Sequence, residues 1–251
     1  WGTHHLIPTL QQPHKREYHP LKQVLLDTAE ALKSPSFRWL AIGFVVISAP
    51  VGVGTALALY MNTFFWEISP EKMIYILIAS PIGTVVGYLF APILSRYLEK
   101  RQSLILGALG WVIFATAPVC LYYLGLFPAP KSEAVVTGLT FCAFMSGLLV
   151  SQVGVAVGSM LGDVADEQEL TNGKRQEGVF YGAYTFVTKA TAGVGSGMSG
   201  FVLDLISWPR GESVKTGADV PVDTLFQLAM VAGPGLAIGF IPAIWCFTHY
   251  R

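Results

Sequence analysis

The sequence predicts an all-α integral membrane protein of six transmembrane helices, and three observations carry that prediction. Of its 251 residues, 53% are hydrophobic and only 13% are charged, against roughly 25% charged in an ordinary soluble domain. The apolar residues gather into six blocks, each long enough for the roughly 20 residues that a bilayer crossing requires. The blocks are continuous. A transmembrane barrel would show ~10-residue segments of alternating polarity instead, so these blocks read as helices, which satisfy their own backbone groups in lipid.

The same composition excludes other classes. Sixteen Lys and Arg balance sixteen Asp and Glu, so the chain has neither the high net charge of a disordered segment nor the basic excess of a nucleic-acid binder. No nucleic-acid partner and no cofactor are expected. Cys120, Cys142 and Cys246 sit in or beside apolar runs with no CxxC pair, and read as small hydrophobes.

Taken in order, residues 1–36 are polar and form an expected cytoplasmic loop. Within it Leu21, Val24, Leu25 and Leu32 share one helical face, which suggests an amphipathic helix on the membrane surface. No basic stretch followed by a short apolar core marks a signal peptide. Residues 37–251 form the expected bundle. Its spans fall at about 37–65, 73–94, 103–127, 134–161, 179–206 and 224–247, with boundaries uncertain by about two to four residues. Pro50, Pro81 and Pro234, each near glycines, are expected to break or kink their helices.

Orientation follows from the basic residues. Eleven of the sixteen, Arg96, Lys100, Arg101, Lys174 and Arg175 among them, fall on the side of both termini. Four fall on the other side, and Lys189 lies within the fifth span. The eleven-residue side is expected to be cytoplasmic, in a plasma (inner) membrane, with both termini inside. Trp39 and Trp245 at inner ends, and Trp66 and Trp208 at outer ends, fit interfacial aromatic belts.

Lys189 is the residue most informative about function. It lies about ten residues into its span, and a side chain reaching ~6 Å cannot snorkel the ~15 Å to the headgroups. A charge there costs about 2.5–3.5 kcal/mol to insert. It is therefore expected to face a wet cavity or the bundle interior, on a face shared with Gly182, Thr185, Gly193, Ser196 and Gly200. The other five spans hold no Asp or Glu in their interiors. Asp204 is fifteen residues further along the same helix, about 22 Å away. Either a substrate or an acidic residue outside this chain partners Lys189, or it is satisfied by backbone carbonyls or neutralised by burial.

Residues 161–178 read LGDVADEQELTNGKRQEG, a charged loop across an Asn172-Gly173 turn. Its carboxylates and basic residues are either ion pairs that close one side of the protein in one conformation or a solvated surface, where such pairs are worth about 0–1 kcal/mol. The run GVGSGMSG at 193–200 lacks the GK[ST] of a phosphate loop and reads as close helix packing. His4, His5, His14 and His19 match no metal-ligand spacing, and no metal is expected. No acid–base–nucleophile set sits at a plausible depth, so the protein is not expected to be an enzyme.

Three motifs then carry a resemblance: Met160-Leu-Gly-Asp-Val-Ala-Asp-Glu, Gly173-Lys-Arg-Gln-Glu-Gly and Tyr184-Thr-Phe-Val-Thr-Lys189. Asp163, Asp166, Arg175, Glu177 and Lys189 stand in the register of the glycoside–pentoside–hexuronide:cation symporters, the melibiose-carrier-like branch of the major facilitator superfamily. The resemblance implies the C-terminal six-helix half of a twelve-helix transporter, whose N-terminal half would be the partner and would hold most of the carboxylates for a coupling Na⁺ or H⁺. It implies substrate and coupling roles near Lys189, Thr185 and Gln152, and a cytoplasmic gate at Asp163, Asp166, Arg175 and Glu177. One departure stands out. The aromatic that stacks on sugar in relatives is absent from the matching region, which holds Ser151, Gln152, Gly154 and Gly158. Eukaryotic relatives move lysophospholipids, so a lysolipid-like solute is the alternative cargo. A homo-oligomeric six-span structural or channel protein is the alternative of another class.

Overall fold

The computed structural model describes residues 29, 32–172, 177–209 and 216–249, and every regular element among them is helical. The four N-terminal histidines and the predicted surface helix, apart from its Leu32, lie outside the described residues. At the start of α1 (Pro35–Tyr60), Ser34 Oγ accepts from the Phe37 N–H at 3.3 Å and Pro35 takes the first position. This is the usual pairing of a hydroxyl cap with a residue that needs no amide partner. α1 runs unbroken through Pro50 and continues as a π-helical turn, Met61–Phe65. α2 (Pro70–Leu94) likewise passes Pro81 without a break. α3 (Lys100–Tyr123) opens where the Glu99 N–H donates to Gln102 Oε1 at 3.1 Å. α4 (Glu133–Asn172) and α5 (Glu177–Leu205) follow. The last crossing is composite: α6 (Val222–Met230), a π turn over Val231–Gly235, and α7 (Leu236–Thr248). Only here does a predicted proline break, at Pro234, coincide with an interruption of the α-helix.

Other expectations need correction. The third crossing stops at Tyr123 rather than 127, because Gly125 turns the chain at φ +72°. The predicted charged loop at 161–178 is largely helix. α4 is 40 residues long, about 60 Å, and carries Asp163, Asp166, Glu167 and Glu169 on its last turns. Its polar end follows from good helix formers continuing where no Gly or Pro stops them. Trp66 is not part of an interfacial belt. It is 2% exposed and packs against Phe65, Tyr122 and Phe127. Finally, five crossings are both long and apolar enough to span a bilayer among the described residues. α5 has the length, at 29 residues, but its run of apolar residues is diluted by six glycines, five Ser and Thr, and Lys189.

The helices pack with an internal repetition. α1 lies against α5 and α7, α4 lies against α2 and α3, and α3 meets α7 across the middle. Exchanging the first three crossings for the last three leaves this pattern unchanged. Three is odd, so the second triplet crosses in the opposite sense to the first. The contact between α2 and α4 is backbone to backbone: a Cβ at Gly83 would lie 2.0 Å from Phe144 O, and one at Gly147 the same distance from Ser80 O. Lipid gives no hydrophobic drive for helices to associate, so small residues that allow such approach supply the contact energy.

Two apolar cores result. One, at the end bearing Arg96, Lys100 and Arg101, gathers Phe37, Leu40, Leu104, Met160, Phe180 and Phe247. The other gathers Leu57, Phe65, Trp66, Val119, Leu228 and Leu236 at the opposite end. Loops tie that opposite end together. Glu67 and Lys131 both adopt left-handed backbone, at φ 51° and 66°, an uncommon conformation for residues with a Cβ. Lys131 Nζ pairs with Glu67 Oε2 at 3.0 Å, the Lys131 N–H donates to Trp66 O at 3.1 Å, and Lys72 pairs with Glu133.

Candidate functional site

Lys189 lies twelve residues into α5, about 18 Å along its axis. Its side chain is on the open face of the helix, where Tyr181, Gly182, Thr185, Phe186 and Ala190 surround it in a shallow concavity of about 720 Å³. Every residue lining that concavity belongs to α5. Thr185 stands one turn before Lys189 and is exposed with it. Among the described residues no hydrogen bond or ion pair reaches Lys189. Beyond it Gly193, Gly197 and Gly200 also face open space, and a Cβ on any of them would touch nothing. Of this run, Gly195 does the packing expected of the whole: a Cβ there would lie 2.7 Å from Ser48 O and 2.9 Å from Gly52 Cα, on α1.

Gln152 is placed elsewhere. It is 2% exposed, and its Nε2 donates to Gly87 O on α2 at 3.0 Å and to Ser151 Oγ at 3.2 Å. Its amide nitrogen thus ties α4 to α2. Gly158, from the same stretch of α4, has its carbonyl occupied by the Tyr181 hydroxyl at 2.7 Å, a link from α5 to α4. The structure therefore brings Lys189 and Thr185 together and leaves Gln152 inside a helix contact.

The charged residues meet at the basic end of the bundle. Lys100 Nζ, at the start of α3, donates to both carboxylate oxygens of Asp163 at 2.7 Å. Both side chains are about half exposed. Lys100 is a partner that the motif register does not supply. Its signal was in the sequence all the same, as a basic residue at the mouth of the short connection SRYLEKRQS. Asp166 is exposed on the same end of α4. Glu177 occupies the first turn of α5, where a carboxylate complements the helix dipole. Arg175 lies outside the described residues.

The chain resembles an uncharacterised 29.9 kDa protein from the crtE 3′ region of Pseudescherichia vulneris, at 28% identity over 178 residues. The match covers 69% of this chain and 58% of that relative, so the chain spans little more than half of the relative's length. The profile of the family described as "MFS/sugar transport protein" matches residues 1–248. Matched over nearly its whole length and built of helices apolar enough to cross a bilayer, this chain is an integral membrane protein that belongs to the MFS/sugar transport protein family.

Proposed function

We propose that this chain forms one half of a cation-coupled secondary transporter for sugars, glycosides or a related small organic solute. Its second half is the N-terminal six-helix unit of the melibiose-carrier-like symporters. The observation that carries this reading is Lys189, a cation midway along a crossing helix, on a face that nothing else in the described chain covers. A lysine at that depth calls for water, a carboxylate or a substrate group, and Thr185 beside it adds a hydroxyl. In this reading the open face of α5 borders the solute pathway between the two halves. The halves rock about it between inward- and outward-open states, and carboxylates on the other half hold the Na⁺ or H⁺.

The basic end faces the cytoplasm in a plasma (inner) membrane, with Asp163, Asp166, Arg175 and Glu177 at its gate. The pairing of Asp163 with Lys100 supports a role for that cluster in holding the α3 and α4 ends together in one state. In the complete protein, Lys189→Ala abolishes concentrative uptake of labelled glycoside while expression stays normal. Undiminished accumulation by that variant would sink the assignment.

A further inference from the structure

A trough of about 660 Å³ runs between α2 and α4, starting at the end that carries Glu67 and Lys131, and it shares no residue with the concavity around Lys189. Both helices begin at that end and run side by side in one direction, Gly83 against Phe144 and Gly87 against Leu148. Their walls change from polar to apolar in step. On α4, Glu133 comes first, Thr137 lies one turn below it, and Phe141 and Phe144 lie deeper. On α2, Lys72 is paired with Glu133, Tyr75 follows, and Ile78 and Ile82 lie deeper. From Glu133 to Phe144 is about 16 Å of helix, close to the ~15 Å hydrocarbon depth of a single leaflet.

Shape and charge together select the occupant. Spread over that length, the volume gives a section of about 40 Å², half that of a helix ~10 Å across, so an alkyl chain fits the trough and a helix does not. Ile78, Ile82 and Phe141 are exposed along it, and a chain laid there covers them. At the mouth, a lysine has three donors and a carboxylate about four acceptor positions. The contact between Lys72 and Glu133 uses one of each, and both side chains remain accessible, at 39% and 80%. The positive ends of both helix dipoles lie here as well, which favours an anion. A headgroup that joins a phosphate to a primary ammonium satisfies both charges at once. Its phosphate accepts from Lys72, and its ammonium donates to Glu133 and to the Thr137 oxygen, whose own proton goes to Glu133 O at 3.3 Å. A quaternary ammonium has no N–H to give, and an anionic headgroup without an ammonium leaves Glu133 beside a like charge.

We propose that the trough between α2 and α4 binds one phospholipid of the surrounding bilayer, an aminophospholipid with a primary-ammonium headgroup. The headgroup sits at Lys72 and Glu133, and an acyl chain lies along Ile78, Ile82, Phe141 and Phe144. This lipid is a resident of the fold and not the transported solute. The assignment goes beyond the transporter reading and requires only that the chain lies in a bilayer.

The test is photolabelling of the complete protein in phosphatidylcholine vesicles that contain a trace of phosphatidylethanolamine with a diazirine midway along one acyl chain. Adducts are located by peptide mass spectrometry. They are expected to concentrate on residues 75–82 and 137–144. Replacing the phosphatidylcholine by unlabelled phosphatidylethanolamine lowers them about fivefold or more, and replacing it by phosphatidylglycerol leaves them unchanged. Glu133→Gln lowers labelling of the trough about threefold, while adducts on Ile113, an exposed apolar residue of α3, stay as they were. Ile78→Trp, which fills the trough and leaves both charges in place, lowers it as well. Equal labelling by the phosphatidylcholine form of the probe, or adducts spread evenly over exposed apolar residues whatever the headgroup, overturns the proposal in favour of ordinary solvation by lipid. Adducts on Ile113 and none in the trough overturn it too, because protein then covers that face. No uptake is measured, so the outcome is independent of what Lys189→Ala does to transport.

Discussion

α2 and α5 hold matching places in the two triplets. Each leans on the long helix of the other triplet, α2 on α4 and α5 on α1, and each does so through small residues. For α2 these are Ala79, Gly83, Gly87 and Ala91, four residues apart along one buried stripe. For α5 they are Ala183 and Gly195. The outward faces share exposed apolar side chains, Phe186, Val194 and Phe201 on α5 among them, and differ in what lies between. α2 turns out Leu77, Ile78, Ile82, Val85, Leu89 and Ile93, a surface that hydrocarbon solvates. α5 interleaves its apolar residues with Gly182, Thr185, Lys189, Gly193 and Gly197, a stripe that hydrocarbon does not solvate. A shared packing mode fixes where a helix sits, and the outer face then records what lies beyond it.

Moving the lysine between the two faces breaks the comparison most severely. Ile82→Lys puts a cation at mid-helix on α2, among exposed apolar side chains. It is expected to cost about 2.5–3.5 kcal/mol, read as lost insertion in a membrane-integration assay. An insertion yield equal to the parent protein's would mean that α2, like α5, borders water or protein.

Adding one side chain to each glycine face sharpens the contrast. Gly147→Val drives atoms into the α2 backbone and is expected to destabilise by about 1–3 kcal/mol, measured as a fall in melting temperature in detergent. Gly197→Val, on the open face of α5, changes stability by less than about 0.5 kcal/mol. It lowers uptake by the complete protein all the same, because the added bulk obstructs whatever approaches that face. Equal melting temperatures for the two variants would erase the distinction.

The smallest effect belongs to the charged end. Asp163→Asn removes a half-exposed pair with Lys100, so the stability change stays below about 1 kcal/mol and shrinks as salt is raised from 0.05 to about 0.5 M. A larger or salt-independent loss would make that pair a structural anchor instead of a labile contact.

The existence and order of the crossings were legible because 20-residue apolar runs leave a chain in lipid few choices. What helices do at their ends was less so. α4 overruns its apolar segment through Asp163 and Asp166 because good helix formers, Ala165, Glu167, Glu169 and Leu170, accompany them, so polarity does not mark the helix boundary. Pro50 and Pro81 misled for a related reason: neighbouring helices hold the chain helical through a missing amide bond. That Lys189 and Thr185 share a face followed from their four-residue spacing. The burial of Gln152 did not, because its partner, the carbonyl of Gly87, is 65 residues away.

The loops around Glu67 and Lys131 have a mechanical consequence. Two ion pairs, a backbone hydrogen bond and a pair of left-handed residues fasten that end like a buckle. Ties of this kind hold the loops to one another and not only to their own helices, so exchange of amides with solvent deuterium is expected to reach the segment around Trp66 last.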